Sequence, residues 1–435
     1  MSTMRANIID SGCGTGKTEY AIRHLLKEED RVIYLTPYLR EVERIRESCP
    51  HMKEPIVSAE TGKNKREAFM KLLNEGESIV MTHALFLTLE VEVAEKIREH
   101  GYRLVLDEVL NVLTPVSTRM MDIDTMFELG FLEDLDYGGV RCTEKGLAYL
   151  DFAWSDLYHT TDYKFFMELE AARAGRLLHI GESVFVWRFP ADLLFSFSDV
   201  WILTYMFNQQ TMSNYLRVHG VQLVFHYMED YKLVEGYKKL EGKEYADLID
   251  IVDSPKLNAI GKQKTALSSS WYNNNYDKLD ILRRHMINFV KRYASAKSKD
   301  VMWTSFKKSQ EAIADKGFIN GFVSCTARAT NEYRDRTACA YLINRYENPL
   351  VYNYFHNCGL TVNQDVFALS ELIQWLFRSA IRDKKPIKLY IPSSRMRGFL
   401  QSWLDGTFED IGPVEYAESG SSWQDFYAED ETPIG

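Results

Sequence analysis

The octapeptide Ser11-Gly12-Cys13-Gly14-Thr15-Gly16-Lys17-Thr18 stands between an apolar run, Ala6-Asn7-Ile8-Ile9-Asp10, and an amphipathic stretch that begins at Glu19. Its glycines let successive backbone amides turn inward, and a helix starting at its end points its positive pole at the same place. A strand, loop and helix of this kind cradle a polyphosphate, with Lys17 reaching the β- and γ-phosphates and the Thr18 hydroxyl ligating Mg²⁺. The expected ligands are therefore ATP and Mg²⁺, held by Gly12, Gly14, Thr15, Gly16, Lys17 and Thr18. Ser11 takes the place of the first glycine of the strict motif. Such a loop sits at the carboxyl end of a buried strand, which commits the chain to an α/β fold with a parallel sheet.

The rest of the first hundred residues keeps that rhythm. RVIYLT (31–36), SIVMT (78–82) and RLVLD (103–107) read as buried strands, and TEYAIRHLLKEE, LREVERIRESC and KREAFMKLLNEG as the helices between them. From about 120 to 197 the pattern gives way to aromatic-rich helical pieces and one strand pair, RLLHIG and SVFVWRF, which reads as a mainly helical insertion. DVWILTYMF (199–207) resumes the sheet and closes a first domain at about 218. Residues 219–275, polar and irregular, read as a linker or accessory element. A second α/β unit runs over 276–405 through DVMWTSF, GFINGFVSC, TACAYLINRY and KLYIPS. With 435 residues, two domains and a connecting element are what the length accommodates.

A Mg²⁺-bound triphosphate needs a hard oxygen ligand opposite the loop, from the end of a neighbouring buried strand. Asp107 and Glu108 follow the apolar run Arg103–Leu106 and supply two acids there. Asp107 is expected in the Mg²⁺ shell, and Glu108 to orient and deprotonate an attacking water. A water-activating carboxylate favours hydrolysis over transfer to a small acceptor.

Charge and cysteine usage narrow the setting. The net charge of −10 is concentrated in residues 406–435, which hold eight acids and no Lys or Arg, so the body carries only about −2 and a basic groove is compatible with it. That tail reads as mobile and solvating. Six cysteines lie scattered without a C-x-x-C pair, which suggests neither a zinc ribbon nor a disulfide framework. No run of about 18 apolar residues occurs. A reducing, cytoplasmic setting with no membrane partner is expected.

In order and content the motifs resemble those of a superfamily-two helicase of the DEAD/DEAH-box-related group, built from two RecA-like domains. SGCGTGKT resembles motif I and LDEV the DEAD/DEAH box. YLTPYLREVERI resembles motif Ia at Thr36, VMTHALF motif Ib at Thr82 and His83, and ILTYMF motif III around Thr204. ARATNEYRDR resembles motif V at Thr330 and Asn331, and QWLFRSAIR motif VI at Gln374, Arg378 and Arg382. Over the second half the pattern is most similar to small phage-encoded members, which would place the chain in a host cytoplasm. The resemblance implies that Thr36, Thr82, His83, Thr330 and Asn331 hold the phosphates of single-stranded or duplex nucleic acid, with DNA favoured over RNA. It further implies that Arg378 and Arg382, with Gln374, complete the charge shell around the triphosphate from the second domain. The family places its two arginines three residues apart and this chain four, which leaves open which is the finger. No Gln stands among the ten residues before Ser11, where the group reads adenine, so base recognition is also open.

Residues 374, 378 and 382 are spaced four apart, which on a continuous helix sets them along one face. Guanidiniums brought by one domain to a triphosphate held by another stabilise the transferring phosphoryl and make turnover depend on domain closure. Two other readings share these motifs. A phage packaging motor has the same phosphate loop and acidic pair, with a metal-dependent nuclease in its second half, where Asp335, Asp365, Glu371 and Asp383 are the acids available. A nucleotide-switched binding protein would keep ATP as a signal and offer the insertion to a protein partner.

Overall fold

The computed structural model describes residues 4–12, 14–58, 60–89, 92–116, 118–135, 138–155, 164–181, 184–239, 241–325 and 332–409. Strands β1 (Arg5–Asp10), β2 (Val32–Thr36), β3 (Ile79–Thr82), β4 (Arg103–Asp107), β5 (Asp199–Thr204), β6 (Gln222–Glu229) and β7 (Lys232–Glu235) make one sheet of seven, in the order β7-β6-β1-β5-β4-β2-β3. All its pairings are parallel except that of β6 with β7. Alternate strand residues face opposite ways, so each strand feeds two cores. Ile8, Ile33, Leu104 and Ile202 pack on one face, and Ile9, Tyr34, Val105 and Leu203 on the other. The six parallel strands all end on one edge. In register, Asp10 lies beside Thr204, Asp107 beside Leu203, and Thr82 beside Thr36. A row of polar strand ends thus lines that edge, with the phosphate loop leaving from its middle.

The helices between these strands are punctuated by their own side chains. Helix α1 (Lys17–Tyr20) passes directly into a π-helical segment, Ala21–Leu25, where the amide of Leu26 donates to the carbonyl of Ala21. Helix α2 (Leu39–Ser48) turns Val42 and Ile45 into the core. Helix α3 (Lys65–Glu75) is opened by Asn64, which accepts from the amide of Glu67, and closed by Gly76 in the left-handed region.

A second sheet, β8 (Ile249–Ile251), β9 (Val301–Thr304), β10 (Ala338–Tyr341) and β11 (Ile387–Tyr390), is parallel throughout in the order β8-β11-β10-β9. Every residue of β9 and β10 is buried, as a sheet covered on both faces demands. The chain therefore has two α/β units, each a parallel sheet flanked by helices. GFINGFVSC is not one of the strands: it forms a short 3₁₀ turn at Ile319–Gly321, and Phe322 makes one isolated bridge to Trp303. The insertion between β4 and β5 has its own core, with Ile123, Met126, Leu150, Leu169 and Phe185 at its centre. Among its described residues are the helices Met120–Glu128, Glu144–Ser155, Phe166–Arg173 and Ala191–Leu194, the antiparallel strands Leu113–Pro115, Leu177–Ile180 and Val184–Arg188, and the strand pair Leu132–Asp134 and Val140–Cys142.

Residues 219–275 prove to be more than a linker. They supply β6 and β7 to the first sheet and β8 to the second. The two units are also interlocked, because Val351, Tyr354 and Phe355 of the helix Pro349–Asn357 belong to the core of the first.

Candidate nucleotide site between the two sheets

The phosphate loop is fixed at both of its shoulders. At its start, the Ser11 amide donates to the carbonyl of Thr204 (3.0 Å), and the Ser11 hydroxyl accepts from the amide of Met228 on β6 (2.7 Å). At its end, Gly14 and Gly16 adopt φ of 82° and 93°, which side chains resist, and the amide of Tyr20 donates to Gly16 O (2.8 Å) to begin α1. The Lys17 ammonium is folded back on the loop itself, donating to the carbonyls of Ser11 (2.5 Å) and Gly12 (2.9 Å). The Thr15 hydroxyl donates to Gly12 O (2.9 Å). Cys13 lies outside the described residues.

Beside the loop, at the end of β4, burial is the main cause that raises the Asp107 carboxyl to about 7. The negative charges of Glu108 and Glu41 push it the same way, while Lys17 and the Tyr34 hydroxyl oppose them. The Tyr34 hydroxyl is buried against Asp107 without reaching a well-formed hydrogen bond. Glu41 on α2 is itself buried and held by Arg44 at 2.8 Å. A largely desolvated carboxylate beside two other acids is short of positive charge, and a divalent cation supplies it. The residues present therefore suit a Mg²⁺-bound triphosphate, with Lys17 and Asp107 within electrostatic reach of each other. Glu108 has φ of 67°, a conformation that costs a non-glycine residue roughly 1–2 kcal/mol, and its amide donates to Leu203 O (2.9 Å). The strain falls on the residue expected to handle the attacking water.

The two sheets meet at the segment after β5. Asp10, buried at the end of β1, accepts from the amides of Met206 (2.7 Å) and Phe207 (2.8 Å), which holds Met206 at φ 58°. Tyr205 is thereby presented to the second unit, and Tyr205 and Met206 both belong to that unit's core. The Tyr205 carbonyl accepts from Gln374 Nε2 (2.9 Å) and from Gln210 Nε2 (2.8 Å), and its ring meets Phe377 edge-on at 6.1 Å. The same ring reaches the phosphate loop: a methyl placed on Gly12 would lie 4.0 Å from Tyr205 Cε2. Tyr205 thus lies between the neighbourhood of Gly12 and the Gln374–Phe377 segment, with Arg378 the next residue.

One continuous helix does not carry the Gln/Arg/Arg set. The helix Gln364–Leu376 ends before Arg378, and Ser379 caps a separate 3₁₀ turn, Ala380–Asp383, that carries Arg382. Gln374 faces the first unit, Arg378 is buried close to Cys325 and Tyr341, and Arg382 sits beside Asp383, itself gripped by Arg334 at 2.7 Å. Of the four acids considered for a nuclease, Asp365 pairs with Arg395, Glu371 with Arg345 and Asp383 with Arg334, and Asp335 lies 3.8 Å from Arg336. Among the described residues, no group of three or more His, Cys, Asp or Glu side chains could hold a metal ion.

The proposed nucleic-acid contacts fare unevenly. Thr36 is fully buried and so is not available to a strand in this conformation. His83 is also buried. Thr82 is partly exposed, and its hydroxyl caps the helix His83–Phe86 by accepting from Leu85 N at 3.4 Å. Thr330 and Asn331 lie outside the described residues. Asp10, Glu41 and Tyr205 are the functional neighbours that motif reading passed over. Asp10 could have been found, since an acid ending the strand before a phosphate loop has no apolar reason to be there.

Residues 243–404 match the sequence profile of the family described as the YonV C-terminal Rossmann-like domain. Over 414 residues, 92% of this chain and 99% of the other, the chain is 33% identical to the SPbeta prophage-derived uncharacterized protein YonV of Bacillus subtilis (strain 168). Among solved structures it is similar to S. tokodaii Xpd4, at 11% identity and a TM-score of 0.48 over 94% of this chain and 95% of that one. It is also similar to a DEAD box protein from the hyperthermophile Methanococcus jannaschii, at 11% identity and a TM-score of 0.26 over 93% and 87%. The architecture is defined by the two parallel sheets and their flanking helices. No helix among the described residues is long and apolar enough to cross a membrane.

Proposed function

This chain belongs to the YonV family, and from that premise we propose that it hydrolyses ATP at the loop of β1 and couples turnover to movement along nucleic acid. The observation that carries the reading is the bridge at Tyr205, which joins phosphate loop and second unit beside Arg378. In this reading the amides of Gly12, Gly14, Thr15 and Gly16 surround the phosphates. Lys17 exchanges its bonds to Ser11 O and Gly12 O for the β- and γ-phosphate oxygens. Thr18 and Asp107 would hold a Mg²⁺, which would neutralise charge on those oxygens. Glu108 takes a proton from water as its oxygen attacks the γ-phosphorus and the bond to ADP breaks. Gln374, Arg378 and Arg382 belong to the second unit, so charge stabilisation follows the relative position of the sheets. Because the Gln374 bond runs to Tyr205, any shift of the second unit is felt at Gly12. That linkage converts a change of nucleotide into movement.

Of the strand-end groups, Thr82 has the exposure to touch a nucleic-acid backbone, whose recognition by hydroxyls and amides is indifferent to sequence. The test is ATP turnover by the purified chain with no nucleic acid, single-stranded DNA, duplex DNA and RNA side by side. Stimulation of at least several-fold by one of them is expected. Equal rates in all four samples would remove the motor, and negligible turnover in all four with tight ATP binding would leave a nucleotide-switched binding protein.

A further inference from the structure

We propose that Tyr231 is the platform on which the base of the bound nucleotide stacks. The assignment rests on the nucleotide reading above and extends it to the part of the ligand that a phosphate loop does not touch. Tyr231 lies at the tip of the β6–β7 hairpin, where Glu229 pairs with Lys232 and leaves Asp230 and Tyr231 as a two-residue turn. The hairpin is tied to the phosphate loop through the bond from Met228 N to Ser11 Oγ, three residues before the tip. Its position over the loop is therefore set by the sheet.

The turn places φ at 48° for Asp230 and 62° for Tyr231. A hairpin tip with two positive φ values is what Asn-Gly provides without strain. A tyrosine there costs backbone energy, and its side chain, 75% exposed, recovers little of it by burial. What the ring does touch is the loop: a methyl placed on Gly16 would lie 2.8 Å from Tyr231 Cδ1 and 3.3 Å from Cε1. Gly16 is thus required twice, by its own φ of 93° and by the ring above it. An aromatic ring seated on the residue before Lys17, with most of its surface in water, offers a π-face next to the phosphates. A purine attached to those phosphates removes that face from water. Such stacking raises affinity by roughly five- to hundredfold and is tolerant of which base is present.

The experiment is calorimetric titration of the full chain with Mg-ATP and with Mg-tripolyphosphate, for wild type, Tyr231→Phe, Tyr231→Gly and Lys17→Ala. Glycine suits the turn better than tyrosine, so Tyr231→Gly should melt no lower than wild type and its binding can be read on a folded protein. Wild type and Tyr231→Phe should prefer ATP to tripolyphosphate by about tenfold or more. In Tyr231→Gly that preference should collapse, with ATP weakened about tenfold and tripolyphosphate held as before. ATP binding at wild-type strength by Tyr231→Gly would overturn the platform, and so would equal loss of both ligands, which would make Tyr231 a support for the loop. Failure of the underlying nucleotide reading looks different: wild type would bind neither ligand, or Lys17→Ala would bind both as well as wild type does, and the platform would fall with it.

Discussion

Replacing Asp107 with asparagine removes a carboxyl group that folding forces into poor surroundings, and so should stabilise the protein while disabling it. Burial, with Glu108 and Glu41 adding to it, raises this group from 3.8 to about 7. At about 1.36 kcal/mol per unit, a shift of roughly three units corresponds to about 4 kcal/mol between the protonated and ionised forms. Asp107 keeps some contact with water at the strand end, so about 2–3 kcal/mol is the expected share. The folded pKa is raised, so the stabilising contribution is complete below about pH 4 and is lost as pH rises through about 7. A neutral amide at this position carries no such dependence. Urea unfolding in EDTA should therefore show Asp107→Asn gaining on wild type as pH rises, the gap widening by about 2 kcal/mol between about pH 5 and pH 8. Adding Mg²⁺ and ATP should reverse the order at pH 8, because only wild type binds the ion through this position. A gap that stays constant with pH, or a wild type more stable than the variant at pH 8 without metal, would show that Asp107 is not held in a charge-poor pocket.

The other consequences concern the second unit. Arg382→Ala should lower ATP turnover by about a hundredfold or more while leaving ATP affinity within a few-fold of wild type; equal losses in a titration and a rate assay would make it a structural arginine. Gln374→Ala removes the bond to Tyr205 O, which retains Gln210, so about 1 kcal/mol of stability should go, together with most of the stimulation by nucleic acid. Unchanged stimulation would mean that the coupling runs elsewhere. A fragment of residues 1–242 lacks the helix Pro349–Asn357 and exposes the core that Val351, Tyr354 and Phe355 fill. Three such side chains contribute about 5–9 kcal/mol, comparable to the whole stability of a domain, so the fragment should show no cooperative melt by circular dichroism. A native-like transition would refute the interlocked packing.

Much of this architecture was legible in the sequence because its central strands are buried on both faces. Val32–Thr36, Arg103–Asp107 and Ala338–Tyr341 are short apolar runs, and they fall where the pattern puts them. The positions of the Ser11–Thr18 loop and of Asp107 at strand ends were legible for the same reason. The pair β6 and β7, at one side of the first sheet, gave a weaker signal. Gln222–Glu229 and Lys232–Glu235 are half-exposed, mixing polar and apolar residues, and so resemble a linker until they are seen pairing with β1 and with each other. The end of the helix at Leu376 was hidden because no Gly or Pro marks it; Ser379 stops it by capping the next turn. Exposure at strand ends could not be read at all. Thr36 and Thr82 close adjacent strands in register, yet one is fully buried and the other is not. Nor can a periodic pattern say that a helix at Pro349–Asn357 fills a core built by strands near the start of the chain.

The most direct test is release of inorganic phosphate from Mg-ATP, measured in parallel for wild type and Lys17→Ala. Wild-type protein should release phosphate steadily and Lys17→Ala should fall to the no-enzyme background. Equal rates from the two proteins would contradict the assignment of the β1 loop as the site of hydrolysis.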